Sequence, residues 1–362
     1  MKSSSHPDIF AFILAGGIGT RFWPLSTPEL PKQFLSPPIR DLGGKTFLQA
    51  TFSRCKTFTS SKNIFVITHH RFRGLVKKQI PTLPSNHVIL EPLARDTAGA
   101  LALALAIAKS KSKNFCLVLL PSDHVISPPR AFQRDIRFAC EFATTHKAIV
   151  TLGIKPTHPA TGFGYMQKGK KVFSAKGQKV FQLSKFIEKP NLSRAKRLLA
   201  KNSKFFWNSG IFIFDDEATC ENLQKFLPRH FEFSEFFSRH PKKPFAKQFS
   251  QLPKTSIDIG IMEKTESPFL IPAGFSWDDV GSWNALEKYL NKNQHNNHSN
   301  VAVLTKKSSG NIFLVENNPG STIIALGVND LYVIQREDHL FLCHKSHIDL
   351  LKEAVQEFYE NS

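Results

Sequence analysis

At 362 residues the chain is long enough for one large domain and a small one, each with a real core. Hydrophobic residues make up 41% and charged residues 21%, a globular composition, and no apolar run approaches the roughly 20 residues that a bilayer-spanning helix needs. The 48 basic residues against 29 acidic ones give a formal charge of +19, which points to nucleic acid, an acidic membrane face or small phosphorylated molecules, unless it only reflects a lysine-rich proteome.

In chain order, Ile9 to Ala15 is a continuous apolar strand. Asn63 to His69 and Phe115 to Leu120 are two more, suited to burial on both faces. Between them TAGALALALAIAKSKSK predicts a helix capped by Asp96 or Thr97, with lysines at its far end. A helix over Ala131 to Thr145 and a strand over Ala148 to Ile154 continue the alternation. The fold class is α/β, a mostly parallel sheet with helices on both faces and a small C-terminal β domain. Ligands of such sheets sit at the carboxyl ends of the strands. Phe181 to Pro190 and Trp207 to Asp215 extend the sheet, and Pro228 to Pro244 is helical. Trp283 to Leu290 begins a helix that fades into the polar run NKNQHNNHSN, Asn291 to Asn300. The expected division is therefore a catalytic domain over 1–290, a solvated linker over 291–300 and a β domain over 301–362, closed by a helix from Ile348 to Tyr359. Ser309-Gly310, Asn318-Pro319-Gly320 and Asn329-Asp330 separate the short strands of that domain, and no clear internal repeat is visible. The five cysteines are scattered, without CxxC or disulfide-like spacing, and the N-terminal apolar run is too short for a signal peptide, so a cytoplasmic protein is expected.

Four segments carry chemistry. LAGGIGTRFWPLSTPELPKQFL, Leu14 to Leu35, leaves a strand through glycines, whose backbone N–H groups can converge on an anion. It is neither a Walker loop nor GxGxxG, because no GK[ST] follows and Phe22 stands where the last glycine would be. Arg21 supplies a fork of donors for phosphate, and Lys32 a mobile point charge. LPSDH, Leu120 to His124, puts Asp123 at the carboxyl edge of a strand, as a metal ligand or as a cap. FSWDDVGSW, Phe275 to Trp283, offers Asp278 and Asp279. Two carboxylates 4 Å apart near a surface repel by roughly 4 kcal/mol at an effective dielectric near 20, and magnesium relieves this while bridging phosphate oxygens. FIEKP contains Glu188, the only acidic residue from Thr151 to Phe214; with Lys189 it is either a surface ion pair or a reader of sugar hydroxyls beside a phosphate clamp. No HExxH, zinc cluster or GxSxG elbow is present.

AGGIGTRFWPLS with PKQFL, LPSDH, FIEKP, WNSGIFIF, SIDIGIMEK and WDDVGSW stand in the order found in the sugar-phosphate nucleotidyltransferases, and the chain resembles that family from about Phe10 to Leu290. The FWPLS and DVGSW forms resemble the branch that joins GTP and mannose 1-phosphate into GDP-mannose and pyrophosphate. The resemblance implies a Rossmann-like nucleotide-binding fold in which Ala15, Gly16, Gly17, Gly19 and Thr20 wrap the nucleotide and Arg21 binds its β and γ phosphates. Lys32 would sit between the α-phosphate and the incoming sugar phosphate. Asp123 and Asp279 would hold Mg2+. Glu91, Arg95 and Thr97 belong to the base-reading segment EPLARDTAGA, which departs from the family form EP-x-x-RNTAPA at Asp96 and Gly99 and so weakens the case for strict guanine reading. Glu188, Gly164 and Asn208 would hold the sugar, and Lys189 its phosphate. An isomerase domain, found in bifunctional relatives, is not expected.

A sugar phosphate oxygen is already ionised at neutral pH, so this chemistry needs no general base; it needs two polyanions aligned while cations and N–H donors screen them. The alternatives are a guanylyltransferase for another sugar 1-phosphate such as a heptose, a basic nucleic-acid-binding protein, and an inactive regulatory relative. Nucleic acid and membrane are not expected as partners, since no RNP motif or DNA-binding helix is present. A homodimer through the C-terminal β domain is a possible assembly.

Overall fold

The computed structural model describes residues 7–17, 20–201, 204–266, 268–316 and 320–360. Gly19, Asn318 and Pro319 lie outside the described residues. The chain divides into two compact units, one of residues up to 16, 51–122 and 126–278, the other of residues 17–50, 123–125 and 279 onward.

The first unit is built on β1 (Asp8–Leu14), α1 (Phe47–Cys55, which enters it at Thr51), β2 (Ile64–His69), α2 (Arg73–Gln79), β3 (Val88–Glu91), α3 (Asp96–Lys111) and β4 (Phe115–Pro121). There follow β5 (Val125–Ser127), α4 (Pro129–His146), β6 (Ile149–Ile154), the long hairpin β7 (Tyr165–Ala175) and β8 (Gln178–Ile187), α5 (Leu192–Ala200) and β9 (Phe205–Asp215). The helices α6 (Asp216–Phe226), α7 (Pro228–Arg239) and α8 (Ala246–Ser250), then β10 (Pro268–Pro272) and β11 (Ser276–Asp278), complete it. Nine strands form one sheet in the order β3-β2-β1-β4-β9-β6-β10-β8-β7. All but β8 and β9 run in one direction, so the sheet is mostly parallel, as the apolar runs imply. Helix α3 is buried on every side from Ala98 to Ala108 and packs against α7, which accounts for its nearly uniform Ala/Leu composition. Its start differs from expectation. Arg95 occupies the cap position without a side-chain capping bond; Asp96 lies in the left-handed region at φ 62°, and the Thr97 hydroxyl accepts the Ile257 N–H at 2.8 Å instead of capping. Each fully buried Leu or Phe of this core contributes about 1.5–3 kcal/mol.

The second unit contains α9 (Trp283–Glu287), β12 (His298–Ser299), β13 (Ala302–Lys306), β14 (Ile312–Glu316), β15 (Thr322–Leu326), β16 (Leu331–Arg336), β17 (His339–His344) and α10 (Leu351–Glu360). Its core joins Phe22, Leu25, Leu35, Val280, Trp283 and Leu286 to Ile312, Tyr332, Ile348 and Val355. The boundary expected at 290 is therefore not where the contacts divide: residues 17–50 and 279–290 cluster with the C-terminal strands because they share this apolar core.

Two other expectations change here. Residues 291–300 are solvated only in part: 291–296 and Asn300 are exposed, but Asn297 is buried, its Oδ1 accepts from the Asn311 N–H at 2.9 Å and Nδ2 at 3.0 Å, and its Nδ2 donates to the Ser308 carbonyl at 2.9 Å. An amide side chain is satisfied inside a turn as readily as in water, so a polar residue at the end of this run is not necessarily exposed. A repeat also exists. Ala302 pairs with Thr322 and Ile312 with Tyr332, both parallel, at a constant offset of 20 residues. Left-handed backbone recurs at the same offset, at Lys307 (φ 51°) and Gly327 (φ 66°) and at Gly310 (φ 71°) and Asp330 (φ 53°). The small β domain is thus a coil of stacked parallel turns. All five cysteines are free, and no helix among the described residues is long and apolar enough to cross a membrane.

Candidate active site

The strands β1 and β4 end in register, Leu14 opposite Pro121, and the Ser122 N–H donates to the Leu14 carbonyl at 3.1 Å. Both loops therefore leave the same carboxyl edge of the sheet, where ligands of such sheets bind. Ala15 is fixed at both ends: its N–H donates to Ile67 O at 2.8 Å, and its carbonyl accepts the Thr68 hydroxyl at 2.8 Å. Gly16 follows close to Glu91: a Cβ there would lie 3.2 Å from Glu91 Oε2, and the carboxylate would have to give by a few tenths of an ångström. Burial, reinforced by the charge of Asp96, raises the Glu91 carboxyl to about 7.

The second unit contains the four residues expected to be catalytic, Arg21, Lys32, Asp123 and Asp279. Lys32 starts a short 3-10 turn after Pro31 and is almost wholly buried, its ammonium 5.2 Å from the Phe47 ring centroid. From there Nζ donates to Asp123 Oδ2 at 2.8 Å and to the Asp279 carbonyl. The neighbouring Gln33 donates from Nε2 to the Gly17 carbonyl at 2.9 Å, which ties the glycine loop to the PKQF turn; sequence reading gave Gln33 no role, although its place beside Lys32 was the available signal. The Asp123 side chain keeps 33% of its surface exposed. Burial works against its ionisation, but the charges of Lys32 and His124 and the Lys32 hydrogen bond outweigh it and hold the carboxyl below its usual range. Asp279 goes the other way. Burial raises its carboxyl, Lys32 and Arg21 oppose the rise, and the nearby Asp123 charge adds to it. Asp278 is buried at the end of β11, and Asp279 is the aspartate that faces the cluster charges.

The backbone after Asp279 is strained to place it. Val280 has φ 43°, a left-handed conformation rare for a β-branched residue and costing about 1–3 kcal/mol. Its fully buried side chain in the Trp283–Leu286 core holds it there. Gly281 then donates its N–H to Asp279 Oδ1 at 3.1 Å, and a Cβ at 281 would lie 3.0 Å from Asp279 Oδ2. No group of three or more His, Cys, Asp or Glu side chains among the described residues could hold a metal. Asp123 and Asp279, two hard carboxylates in electrostatic contact, are the residues that could hold a hard divalent cation such as magnesium.

In the first unit the predicted sugar-side residues also converge. Asn208, on β9, donates its N–H to the Gly164 carbonyl at 2.8 Å, and a Cβ at Gly164 would lie 2.8 Å from Glu188 Oε2. Glu188 pairs with Lys189 Nζ at 2.9 Å, and Lys189 itself sits at φ 37°. The Glu188 hydrogen bond, above all, raises the Lys189 ammonium. Sequence reading missed Asp258. It opens a π-helical turn, Asp258–Met262, in the SIDIGIMEK motif, and accepts from Asn208 Nδ2 at 2.7 Å. Burial first, then the Glu188 charge, raises its carboxyl to about 7. A carboxylate set among the buried Ile257, Gly260 and Ile261 was the signal to follow.

The base-reading segment is engaged with its surroundings. Arg95 Nη2 donates to the Ser250 carbonyl and Thr97 holds Ile257, so part of the donor capacity assigned to a base is used within the fold. A Cβ on Gly99 would lie 2.8 Å from Arg95 Cβ and 3.1 Å from Phe249 Cζ, so the close approach of Phe249 explains why this position carries no larger residue.

A glycine loop leaving a parallel sheet, a buried lysine between aspartates and a separate amide–carboxylate cluster define an enzyme that handles phosphate esters. The nucleotidyl transferase family model matches residues 10–296, and the chain belongs to that family. Among curated proteins it is similar to mannose-1-phosphate guanylyltransferase RfbM of Salmonella typhimurium, 34% identical over 96% of this chain and 72% of that protein. It is equally similar to the xanthan biosynthesis protein XanB of Xanthomonas campestris, 34% identical over 97% of this chain and 73% of that protein. A crystal structure described as mannose-1-phosphate geranyltransferase from Thermus thermophilus superimposes with a TM-score of 0.84 at 29% identity, over 97% of this chain and 99% of that one.

Proposed function

We propose that this enzyme transfers GMP from GTP to mannose 1-phosphate, giving GDP-mannose and pyrophosphate by direct in-line attack. The names of its relatives support the two substrates. The observation that carries the reading is the contact of one buried lysine with both Asp123 and Asp279. The attacking oxygen of a sugar phosphate is already ionised at neutral pH and needs no proton removed. Lys32 is held as a fixed positive charge for the α-phosphate and the incoming sugar phosphate. Arg21, exposed at the start of the same loop, supplies bidentate donors to the leaving pyrophosphate. Ala15, Gly16, Gly17, Gly19 and Thr20 are the nucleotide loop, with Glu91, Arg95 and Thr97 toward the base. A magnesium ion held by Asp123 and Asp279 would screen the triphosphate charge. Lys189 takes the sugar phosphate, while Glu188, Asn208 and the backbone of Gly164 take the sugar.

The test is pyrophosphate release from a matrix of nucleoside triphosphates and sugar 1-phosphates with magnesium. GTP with mannose 1-phosphate is expected to give the highest kcat/KM. A higher value with another sugar, such as a heptose 1-phosphate, would move the substrate, and no release from any pair would overturn the reading. A cytoplasmic location fits both substrates. A homodimer through the coil would cover Leu304, Ile324 and Leu326, which share the exposed face of the β13–β15 pair. Light scattering that gave a monomer at micromolar concentration would rule that dimer out.

A further inference from the structure

The amide of Asn208 can be oriented without ambiguity. Its Oδ1 accepts the Gly210 N–H at 3.1 Å, a group that only donates, and is also reached by the Thr151 hydroxyl at 3.2 Å. Exchanging the amide oxygen and nitrogen would set two donors against each other. The Nδ2 group therefore points at Asp258 Oδ1, 2.7 Å away, and keeps one hydrogen unspent. Asp258, Asn208 and Glu188 are all half-buried, so the cluster keeps some surface that a ligand can reach. Asp258 Oδ1 is occupied by this bond, the carboxylate also takes a hydrogen bond from its own backbone N–H, and among the described residues no second side chain donates to it. The π-helical turn starting at Asp258 is the kind of irregular helix that re-aims a side chain at a functional site.

We propose that Asp258 is a specificity-determining residue of the sugar subsite: it fixes the Asn208 amide and offers its second oxygen to a hydroxyl of the sugar 1-phosphate. This rests on the nucleotidyltransferase reading above. The subsite then presents one N–H donor from Asn208 and two carboxylates, Glu188 and Asp258, as acceptors. It selects a ring with at least two hydroxyl donors correctly placed, and a sugar lacking one of them leaves a buried carboxylate oxygen unpaired. Three charged groups act on Asp258: Glu188 and Lys189 after β8, and Asp96 at the start of α3. Two of them are acidic, which together with burial places its titration close to neutrality.

The experiment compares wild type, Asp258→Asn and Asp258→Ala in the full chain. Asp258→Asn keeps a carbonyl oxygen for Asn208 but exchanges the second acceptor for a donor. The expected result is a rise of about tenfold in KM for mannose 1-phosphate with KM for GTP unchanged. Asp258→Ala should raise the sugar KM further, because Asn208 is also released. In wild type the sugar KM should rise as pH falls through about 7, where the acceptor is protonated. That trend should be weaker in Asp258→Asn, which still reports titration of the substrate's own phosphate. The penalty for deoxymannose 1-phosphates should shrink in Asp258→Asn for the one hydroxyl that Asp258 reads. A sugar KM within twofold of wild type with an unaltered pH trend would overturn the proposal. So would equal rises in both KM values with a lowered Tm, which would make Asp258 a structural residue only. Wild-type protein that releases no pyrophosphate from any sugar 1-phosphate would instead bring down the functional reading on which the proposal stands.

Discussion

The enzyme uses a lysine and two carboxylates twice, with opposite results. In the second unit Lys32 is nearly buried and touches both Asp123 and the Asp279 backbone, so one positive charge is committed to an acidic pair. In the first unit Lys189 is largely exposed and pairs with Glu188, while Asp258 holds the Asn208 amide. A buried, doubly held cation keeps its place when a phosphate arrives, which suits charge stabilisation. An exposed lysine held by one carboxylate can turn toward an incoming phosphate, while the Glu188 and Asp258 carboxylates beside it suit the reading of hydroxyls on a neutral ring. The difference lies less in residue type than in how much freedom each cation retains.

The contrast breaks first at Asp279. Asp279→Asn removes charge without changing shape, and kcat is expected to fall by at least about a thousandfold with Tm little changed. Near-normal turnover would mean that the raised Asp279 carboxyl is a by-product of burial and that the first cluster is no more committed than the second. Lys189→Ala should do less. Loss of one charge-assisted hydrogen bond, about 1.5–3 kcal/mol, predicts a KM for sugar phosphate about ten- to a hundredfold higher, with kcat and KM for GTP nearly constant. A selective loss of GTP affinity would move Lys189 to the nucleotide side and erase the distinction.

Legibility followed the same line. The strand–glycine–arginine exit at Leu14 to Arg21, and an aspartate just past the strand Phe115–Pro121, announce themselves because parallel strands and anion loops use distinctive residue types. Features that depend on backbone shape left weaker traces. The period of 20 in the coil is carried by φ at Lys307 and Gly327 and at Gly310 and Asp330, pairs with no residue in common. Asn297 read as linker because its partners, Asn311 and Ser308, are distant in sequence. The strain at Val280 could not be anticipated, since its DVG context suggests an ordinary turn around Asp279. Asp258 was quoted inside a motif, yet only the bond to Asn208, 50 residues away, gives it a purpose.

The smallest expected effects come from two glycines that play the same part in the two clusters. A Cβ at Gly281 would approach Asp279 Oδ2 to 3.0 Å, and one at Gly164 would approach Glu188 Oε2 to 2.8 Å and a Phe186 ring carbon to 2.9 Å. Neither glycine has a positive φ, so alanine strains the contact and not the backbone. Each alanine displaces a carboxylate by a few tenths of an ångström. If the first cluster serves the transition state, Gly281→Ala lowers kcat by about three- to tenfold and leaves KM for sugar phosphate alone. If the second serves ground-state recognition, Gly164→Ala raises that KM by a similar factor and leaves kcat alone. Steady-state kinetics of the two variants in one assay resolves this. The same kinetic signature from both would show that the two lysine–carboxylate groups share one task, because matched perturbations of separate tasks cannot produce it.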